Sequence, residues 1–302
     1  MSSQQQTENN TANSNLSSAN AEIARKSQRP LTNDEVFILD NFDFEHSAIP
    51  SLLSDRNMMF ARITLLCVNG MIQIWSLGLL DFYVNFCFLT HWGLHIVSIS
   101  LVLNIVCAVL FNKHNQIPLV KATAILTEIA FVSQVCIVAL YWSLIHADVI
   151  KDLDGHRARR GERWTEQFYQ LMIIVHSLPA VAIFINIIIS KVVLCFEHLP
   201  YMLVYGFTYL TCNLCATKYL GRPLYSFLTW EDFNTVIIAL VIILGNTLAY
   251  FLVCKFMKIF RGDLLSYQDK VQAVSQEKTQ NQNQSNVHGK GSSPRKVREK
   301  IE

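Results

Sequence analysis

The sequence predicts an all-α fold, a polytopic membrane protein whose core is a bundle of about six transmembrane helices. Apolar residues make up 51% of the chain and charged residues 16%, so it is more apolar and less charged than ordinary soluble domains. The apolar residues are concentrated in blocks of the roughly 20 residues that a helix needs to cross a hydrocarbon core. These blocks lack the apolar-polar alternation of membrane barrels, so helices are expected to pair the backbone groups in lipid.

Six blocks have this length, and each is expected to form one helix of a membrane domain over residues 57–260. The blocks cover residues 58–80, 86–111, 122–145, 168–189, 199–219 and 235–260. We place their ends to within a few residues.

Both ends of the chain are polar, and both are predicted to be largely disordered tails. Residues 1–56 contain no apolar segment of the length that a secretory signal needs, so the first helix is expected to direct membrane insertion. Residues 261–302 are rich in Gln, Asn, Ser and Lys and have too little apolar surface to bury.

Lysine and arginine in the short loops leave the orientation open, since seven lie on each side of the predicted bundle. An even number of helices places both termini on one side. Long polar tails without a signal favour the cytosol for both. We therefore expect a multi-pass protein of an endomembrane or the plasma membrane with cytosolic termini.

Charge and cysteine content argue against several classes of function. The net charge of +2 is small for a nucleic-acid-binding protein, and the basic segment "HRARRGER" has no interleaved aromatic residues. We interpret this segment as a solvated loop beside anionic lipid headgroups. The eight cysteines show no disulfide framework, and the close pair Cys212 and Cys215 fits helix packing better than redox or zinc chemistry. No cofactor is expected.

Polar residues inside the spans are candidates for function, because they are costly in lipid and face the bundle interior. They are Thr90, His91, His95, Asn104, Glu128, His176, Asn186 and Asn213. Glu128 is the only carboxylate well inside a span, so it is expected to have a partner or to lie in a hydrated cavity. A transporter has little support, since ion coupling often uses several acidic groups and the two halves show no repeat.

His91 and His95 are four residues apart, the spacing that places two imidazoles on one helix face. A membrane di-iron site needs several histidine clusters, and this chain has one such pair. We therefore predict no metal site and interpret both histidines as hydrogen-bonding or interfacial residues.

Thr90 is a candidate nucleophile if a base removes its hydroxyl proton. His91 is poorly placed for this, because adjacent helical residues point about 100° apart. His176, in "MIIVHSLPAVAIFIN", is the histidine best placed in another span. The alternative is structural: an intramembrane threonine commonly bonds its own i−4 carbonyl, and a single histidine can be a packing contact.

Three short segments occur in the order and spacing of one known family. "FCFLTHWGLHIV" opens the predicted second helix, "VHSLPAV" lies in the fourth, and "GRPLYSFLTWEDF" lies between the last two. Over residues 57–260 they resemble the androgen-induced transmembrane hydrolases, which include the androgen-dependent regulator of the tissue-factor pathway and, more distantly, the rolling-stone proteins. The matches fall on Thr90, on His176, and on Tyr225, Leu228 and Trp230.

The resemblance implies an intramembrane hydrolase that cleaves lipid esters such as fatty acid esters of hydroxy fatty acids, with Thr90 as nucleophile and His176 as base. Asn104, Asn186, Asn213 or a broken helix end are the candidate oxyanion donors. Ser226 and Thr229 replace a proline and an acidic residue of the family's turn. The alternative is a non-catalytic membrane protein of the same fold, either a scaffold for partners or a transporter. No particular protein partner is predicted.

Overall fold

The computed structural model describes residues 42–50, 52–109, 117–257 and 259, and in them the chain is an all-α, multi-pass integral membrane protein. The predicted fold class is therefore confirmed. The predictions for residues 1–41 and 261–302 lie outside the described residues.

One part of the predicted N-terminal tail is ordered. Strand β1, Phe42–Ser47, pairs antiparallel with strand β2, Ser190–Val192. Phe42 and Phe44 are buried, and their spacing of two places both side chains on one face of the strand. The predicted tail, residues 1–56, thus contains one strand, because its two phenylalanines supply apolar surface to bury.

The first membrane helix, α1, spans Asp55–Leu79. The Ser54 hydroxyl accepts the Asn57 N–H at 3.3 Å, which caps the N-terminus of α1. A single-turn helix, α2, covers Val84–Cys87, and α3 covers Leu89–Val109.

The predicted second span, residues 86–111, is thus divided. Phe88 has an extended backbone, with ψ of 139°, and separates α2 from α3. This break places Thr90 in the first turn of α3.

Helix α4, Ile117–Leu140, continues through a π-helical turn, Tyr141–Ile145, into α5, His146–Arg160. The prediction of a loop at the basic segment is wrong, because α5 runs through most of it. Gly161, with φ of 84°, ends α5 in a conformation that glycine adopts at little cost.

The second half of the described chain holds three further long helices. Helix α6 covers Glu162–Ile189, and α7 covers Leu199–Leu220 after a 3₁₀ turn at Phe196–His198. Helix α8 covers Phe233–Met257.

Five helices of the described residues are long and apolar enough to cross a membrane: α1, α3, the continuous α4–α5 helix, α6 and α8. The remaining predicted span, residues 199–219, forms α7, whose 22 residues suffice in length. Its tyrosines, threonines and Asn213 make it less apolar than the other five.

Helix α3 lies at the centre of the bundle and packs against α1, α4 and α6. Gly93 allows α4 to approach α3 one turn after Thr90. A Cβ atom at position 93 would lie 2.8 Å from the Gln134 side-chain nitrogen and still closer to the Ile137 side chain.

Arg62 on α1 is fully buried, and three of its nitrogens donate hydrogen bonds. It donates to the Phe44 carbonyl at 2.6 Å, the Ser190 hydroxyl at 2.7 Å and the Asn186 side chain at 3.1 Å. These bonds compensate for the cost of burying the cation, and they tie β1 and the end of α6 to α1.

Glu128 on α4 has the partners that its position in a span demands. Its carboxylate accepts the Cys195 N–H at 3.0 Å and the Tyr250 hydroxyl at 2.5 Å, and it lies 3.0 Å from His198 Nδ1. The predicted partnership is confirmed, and these contacts join α4 to α8 and the start of α7.

Candidate active site

Thr90 and His176 meet in the interior of the bundle. Thr90 lies in the first turn of α3 and His176 lies in the middle of α6. The Thr90 Oγ1 atom is 2.8 Å from His176 Nε2, and the two residues are only 5% and 6% exposed. The two residues that the sequence singles out are therefore in hydrogen-bond contact, although 86 positions separate them.

The hydrogen-bond pattern fixes the direction of the Thr90–His176 bond. His176 Nδ1 lies 2.6 Å from the Met172 carbonyl oxygen, which can only accept, so Nδ1 carries the hydrogen in the neutral ring. Nε2 is then the acceptor, and the Thr90 hydroxyl donates to it. This is the arrangement in which a histidine takes the proton of a nucleophile, while a third group orients its ring.

The Tyr141 ring packs on one face of the His176 ring. The two rings are stacked with centroids 3.8 Å apart and planes 13° from parallel. Tyr141 is the first residue of the π-helical turn, and its hydroxyl lies 3.1 Å from His146 Nδ1. Such turns occur frequently at functional sites, and here the turn presents the ring that packs on the candidate base.

Two cavities meet at this pair. A narrow cavity of about 70 Å³ lies among α3, α4, α6, α7 and α8, and its walls are mainly apolar. A wide cavity lies on the other side of the Thr90–His176 pair. Its volume of about 600 Å³ is that of a small-molecule site. Both cavities are lined by Ile145, Thr90, His176, Tyr225 and Phe227.

Unlike the narrow cavity, the wide cavity has charged side chains in its wall. Its charged residues are Asp81, Asp148, Lys151, Asp152, Arg159, Arg160 and Arg222. Arg159 and Arg160 come from the basic segment that the sequence analysis assigns to lipid headgroups, so the C-terminal end of α5 supplies part of this wall.

The turn between α7 and α8 completes the site. The Leu89 N–H donates to the Tyr209 hydroxyl at 3.0 Å and to the Tyr225 hydroxyl at 3.1 Å. Trp230, in the same turn, donates its indole N–H to Asn213 at 2.7 Å. The third sequence segment thus contacts the chain immediately before Thr90.

His91 and His95 lie apart from the Thr90 hydroxyl and bond other partners. His91 Nε2 is 2.7 Å from the Ser76 hydroxyl on α1, and His95 Nε2 is 3.2 Å from the Asn85 carbonyl. The interhelical hydrogen bond expected of His91 is confirmed. In the described part of the chain, no three His, Cys, Asp or Glu side chains are grouped to hold a metal ion.

The three asparagines expected as oxyanion donors line neither cavity. Asn104 donates to the Thr127 hydroxyl at 2.9 Å, and Asn186 accepts from Arg62. Asn213 contacts Tyr209 and Trp230. These three candidates therefore lie away from both cavities, because packing between helices uses their amides elsewhere. The fourth candidate, a broken helix end, stays a prediction.

Comparison with protein-family models, curated protein sequences and solved structures gave no match to this chain.

Proposed function

We propose that this chain is an intramembrane hydrolase of lipid esters, such as fatty acid esters of hydroxy fatty acids, with Thr90 as nucleophile and His176 as base. One observation carries the proposal. A threonine hydroxyl donates to a histidine whose other nitrogen is held by a carbonyl, at the place where an apolar and a polar cavity meet.

The reaction has two steps. Thr90 Oγ1 attacks the ester carbonyl while its proton passes to His176 Nε2, and a tetrahedral intermediate forms. The intermediate collapses as the bond to the alcohol breaks, and His176 returns the proton to the leaving alkoxide. Water then gives a proton to His176, attacks the acyl-threonine, and releases the fatty acid as Thr90 regains its proton.

The two cavities suit the two sides of such an ester. The apolar walls of the narrow cavity suit the first methylene groups of an acyl chain, because burying these groups is favourable. The wide cavity can admit water and a polar end group, and Arg159, Arg160 and Arg222 in its wall suit a free carboxylate.

The motif resemblance supports the same roles. In the hydrolases that the three segments resemble, the threonine and histidine matched by Thr90 and His176 are the proposed pair. The third segment also lies at the site, through Tyr225. We extend the proposal to membership of that family, in an endomembrane or the plasma membrane with both termini cytosolic.

The test is ester hydrolysis by the purified full chain in lipid nanodiscs. Thr90→Val keeps the shape of the side chain and removes the hydroxyl, so turnover should fall to background. His176→Ala should lower kcat by about 10²–10⁴-fold, the usual contribution of a general base. Thr64→Val is the matched control, because the Thr64 hydroxyl is exposed and bonds its own i−4 carbonyl at 2.9 Å.

A non-catalytic scaffold or transporter predicts the opposite result. Glu128, the carboxylate that a transporter would use, lines neither cavity and is held by protein partners. Unchanged hydrolysis in Thr90→Val, or no hydrolysis by the wild-type chain over a panel of branched and simple lipid esters, would favour the non-catalytic alternative.

A further inference from the structure

We propose that Tyr225 is a third catalytic residue, whose phenolic O–H stabilises the oxyanion that forms when Thr90 attacks the ester. This inference rests on the proposed hydrolase function. It assigns the donor that the three asparagines do not provide.

Tyr225 belongs to the same cavity walls as the candidate pair. It lines both cavities, as do Thr90 and His176, so its ring is at their junction. Its phenolic oxygen accepts the N–H of Leu89, the residue before the nucleophile, at 3.1 Å. The phenol is thereby fixed to the first turn of α3, the turn that contains Thr90.

The hydroxyl hydrogen of Tyr225 is available to a substrate. Its oxygen accepts two hydrogen bonds, one from the Leu89 N–H and one from the Tyr209 hydroxyl at 3.2 Å. Among the described residues no acceptor takes the hydrogen of Tyr225 itself. Burial raises the pKa of Tyr225, so the phenol keeps this hydrogen and remains a donor at neutral pH.

A directed chain of hydrogen bonds ends at this hydroxyl. The Trp230 indole donates to Asn213 at 2.7 Å, Asn213 donates to the Tyr209 hydroxyl at 3.4 Å, and Tyr209 donates to Tyr225. Each donor polarises the next in such a chain, which makes the last O–H a stronger donor. Asn213, Tyr209 and Trp230 are then positioning residues, because they act through Tyr225.

The backbone of Trp230 supports a functional constraint on this turn. Its φ is 59°, a left-handed conformation that is unfavourable for a bulky residue. The strain is maintained where the indole N–H reaches Asn213. The turn segment that the sequence analysis matches to a family motif thus contains both ends of the hydrogen-bond chain.

Formation and collapse of the tetrahedral intermediate need no reactant besides the ester and these side chains. As Thr90 Oγ1 bonds to the carbonyl carbon, the electron pair of the C=O π bond moves to oxygen. The Tyr225 O–H hydrogen-bonds to this oxygen and keeps its proton. The pair returns to form C=O again when the bond to the alcohol breaks.

The experiment compares Tyr225→Phe with wild type in the full chain. Removing an oxyanion donor should lower kcat by about 10²–10³-fold and leave KM nearly unchanged. Tyr219→Phe is the matched control, since Tyr219 is 90% exposed. Trp230→Phe, which removes the first donor of the chain, should give a smaller loss in kcat.

Binding of a trifluoromethyl ketone provides a readout that a purely structural role would not change. Thr90 should add to this ketone and form an alkoxide at the position of the oxyanion, so Tyr225→Phe should weaken its binding far more than it raises KM. If Tyr225→Phe does not fold, Tyr209→Phe tests the same series of hydrogen bonds, and it should reduce both kcat and ketone affinity.

Two results would overturn the inference and leave the hydrolase proposal standing. One is unchanged kcat and ketone affinity in Tyr225→Phe while Thr90→Val is inactive. The other is a loss in Tyr205→Phe alone, because the Tyr205 hydroxyl also lines the narrow cavity without a partner among the described residues. A wild-type chain without activity would instead contradict the hydrolase proposal itself.

Discussion

The Met172 carbonyl decides what His176 can do for Thr90. Because this carbonyl accepts from Nδ1, the neutral imidazole presents a lone pair to the threonine rather than a hydrogen. The stacked Tyr141 ring prevents the imidazole from turning away. A histidine that is held on three sides loses little freedom when it takes a proton, so the proposed mechanism starts from a pair that is already positioned.

The methyl group of Thr90 should matter less than its hydroxyl. β-branching restricts χ1, whereas serine samples three staggered rotamers, of which one directs the hydroxyl at His176. Thr90→Ser should therefore retain activity, with kcat lowered by about threefold. Steady-state kinetics beside Thr90→Val measures the difference, and equal inactivity of both variants would contradict the minor role of the methyl group.

At the scale of secondary-structure elements, the site depends on two interruptions of helical geometry. The break at Phe88 starts α3 one residue before Thr90, and the π-helical turn at Tyr141–Ile145 presents Tyr141 to His176. The close approach of α3 and α4 at Gly93 sets the distance between these two features. A change in that approach should therefore act on the Thr90–His176 contact.

Gly93→Ala tests this dependence. The new Cβ would meet the buried Gln134 and Ile137 side chains, so we expect a loss of about 1–3 kcal/mol in the free energy of unfolding and a fall in kcat. Ile137→Val removes the terminal methyl that the Cβ would contact first, so the double variant should recover part of both losses. Thermal unfolding and turnover of the two single variants and the double variant measure the recovery. Strictly additive effects would mean that the two positions are not in contact.

At the scale of the whole molecule, the helical membrane fold can be predicted from the apolar blocks. The position of α7 cannot, because it depends on tertiary contacts. Its Tyr205 and Tyr209 line the narrow cavity, although α7 is the least apolar of the six predicted spans. If α7 crosses the membrane as a sixth span, both termini lie on one side. Epitope tags at the two ends should then be protected equally in sealed microsomes, and opposite protection would show an odd number of crossings.

The sequence points to Thr90 and His176 as a candidate pair, because polar residues inside apolar helices stand out by their cost and because the motif resemblance falls on both residues. Tyr225 lies in a loop, where a polar side chain does not have the energetic cost that it has inside a membrane helix. Only the fold shows that this loop contacts the backbone of Leu89. Arg62 is buried because it hydrogen-bonds to β1 at the Phe44 carbonyl, a residue that is distant in the sequence. Hydropathy describes one helix at a time, so it contains no information about such contacts.

Covalent labelling of Thr90 tests the central claim most directly. A fluorophosphonate probe should react with the full-length protein in nanodiscs, and peptide mass spectrometry should locate the adduct on the Thr90 hydroxyl. His176→Ala should abolish the labelling, and Thr64→Val should not change it. Ester hydrolysis that persists while the adduct forms on another residue, or while Thr90 remains unmodified at full inhibition, would contradict Thr90 as the nucleophile.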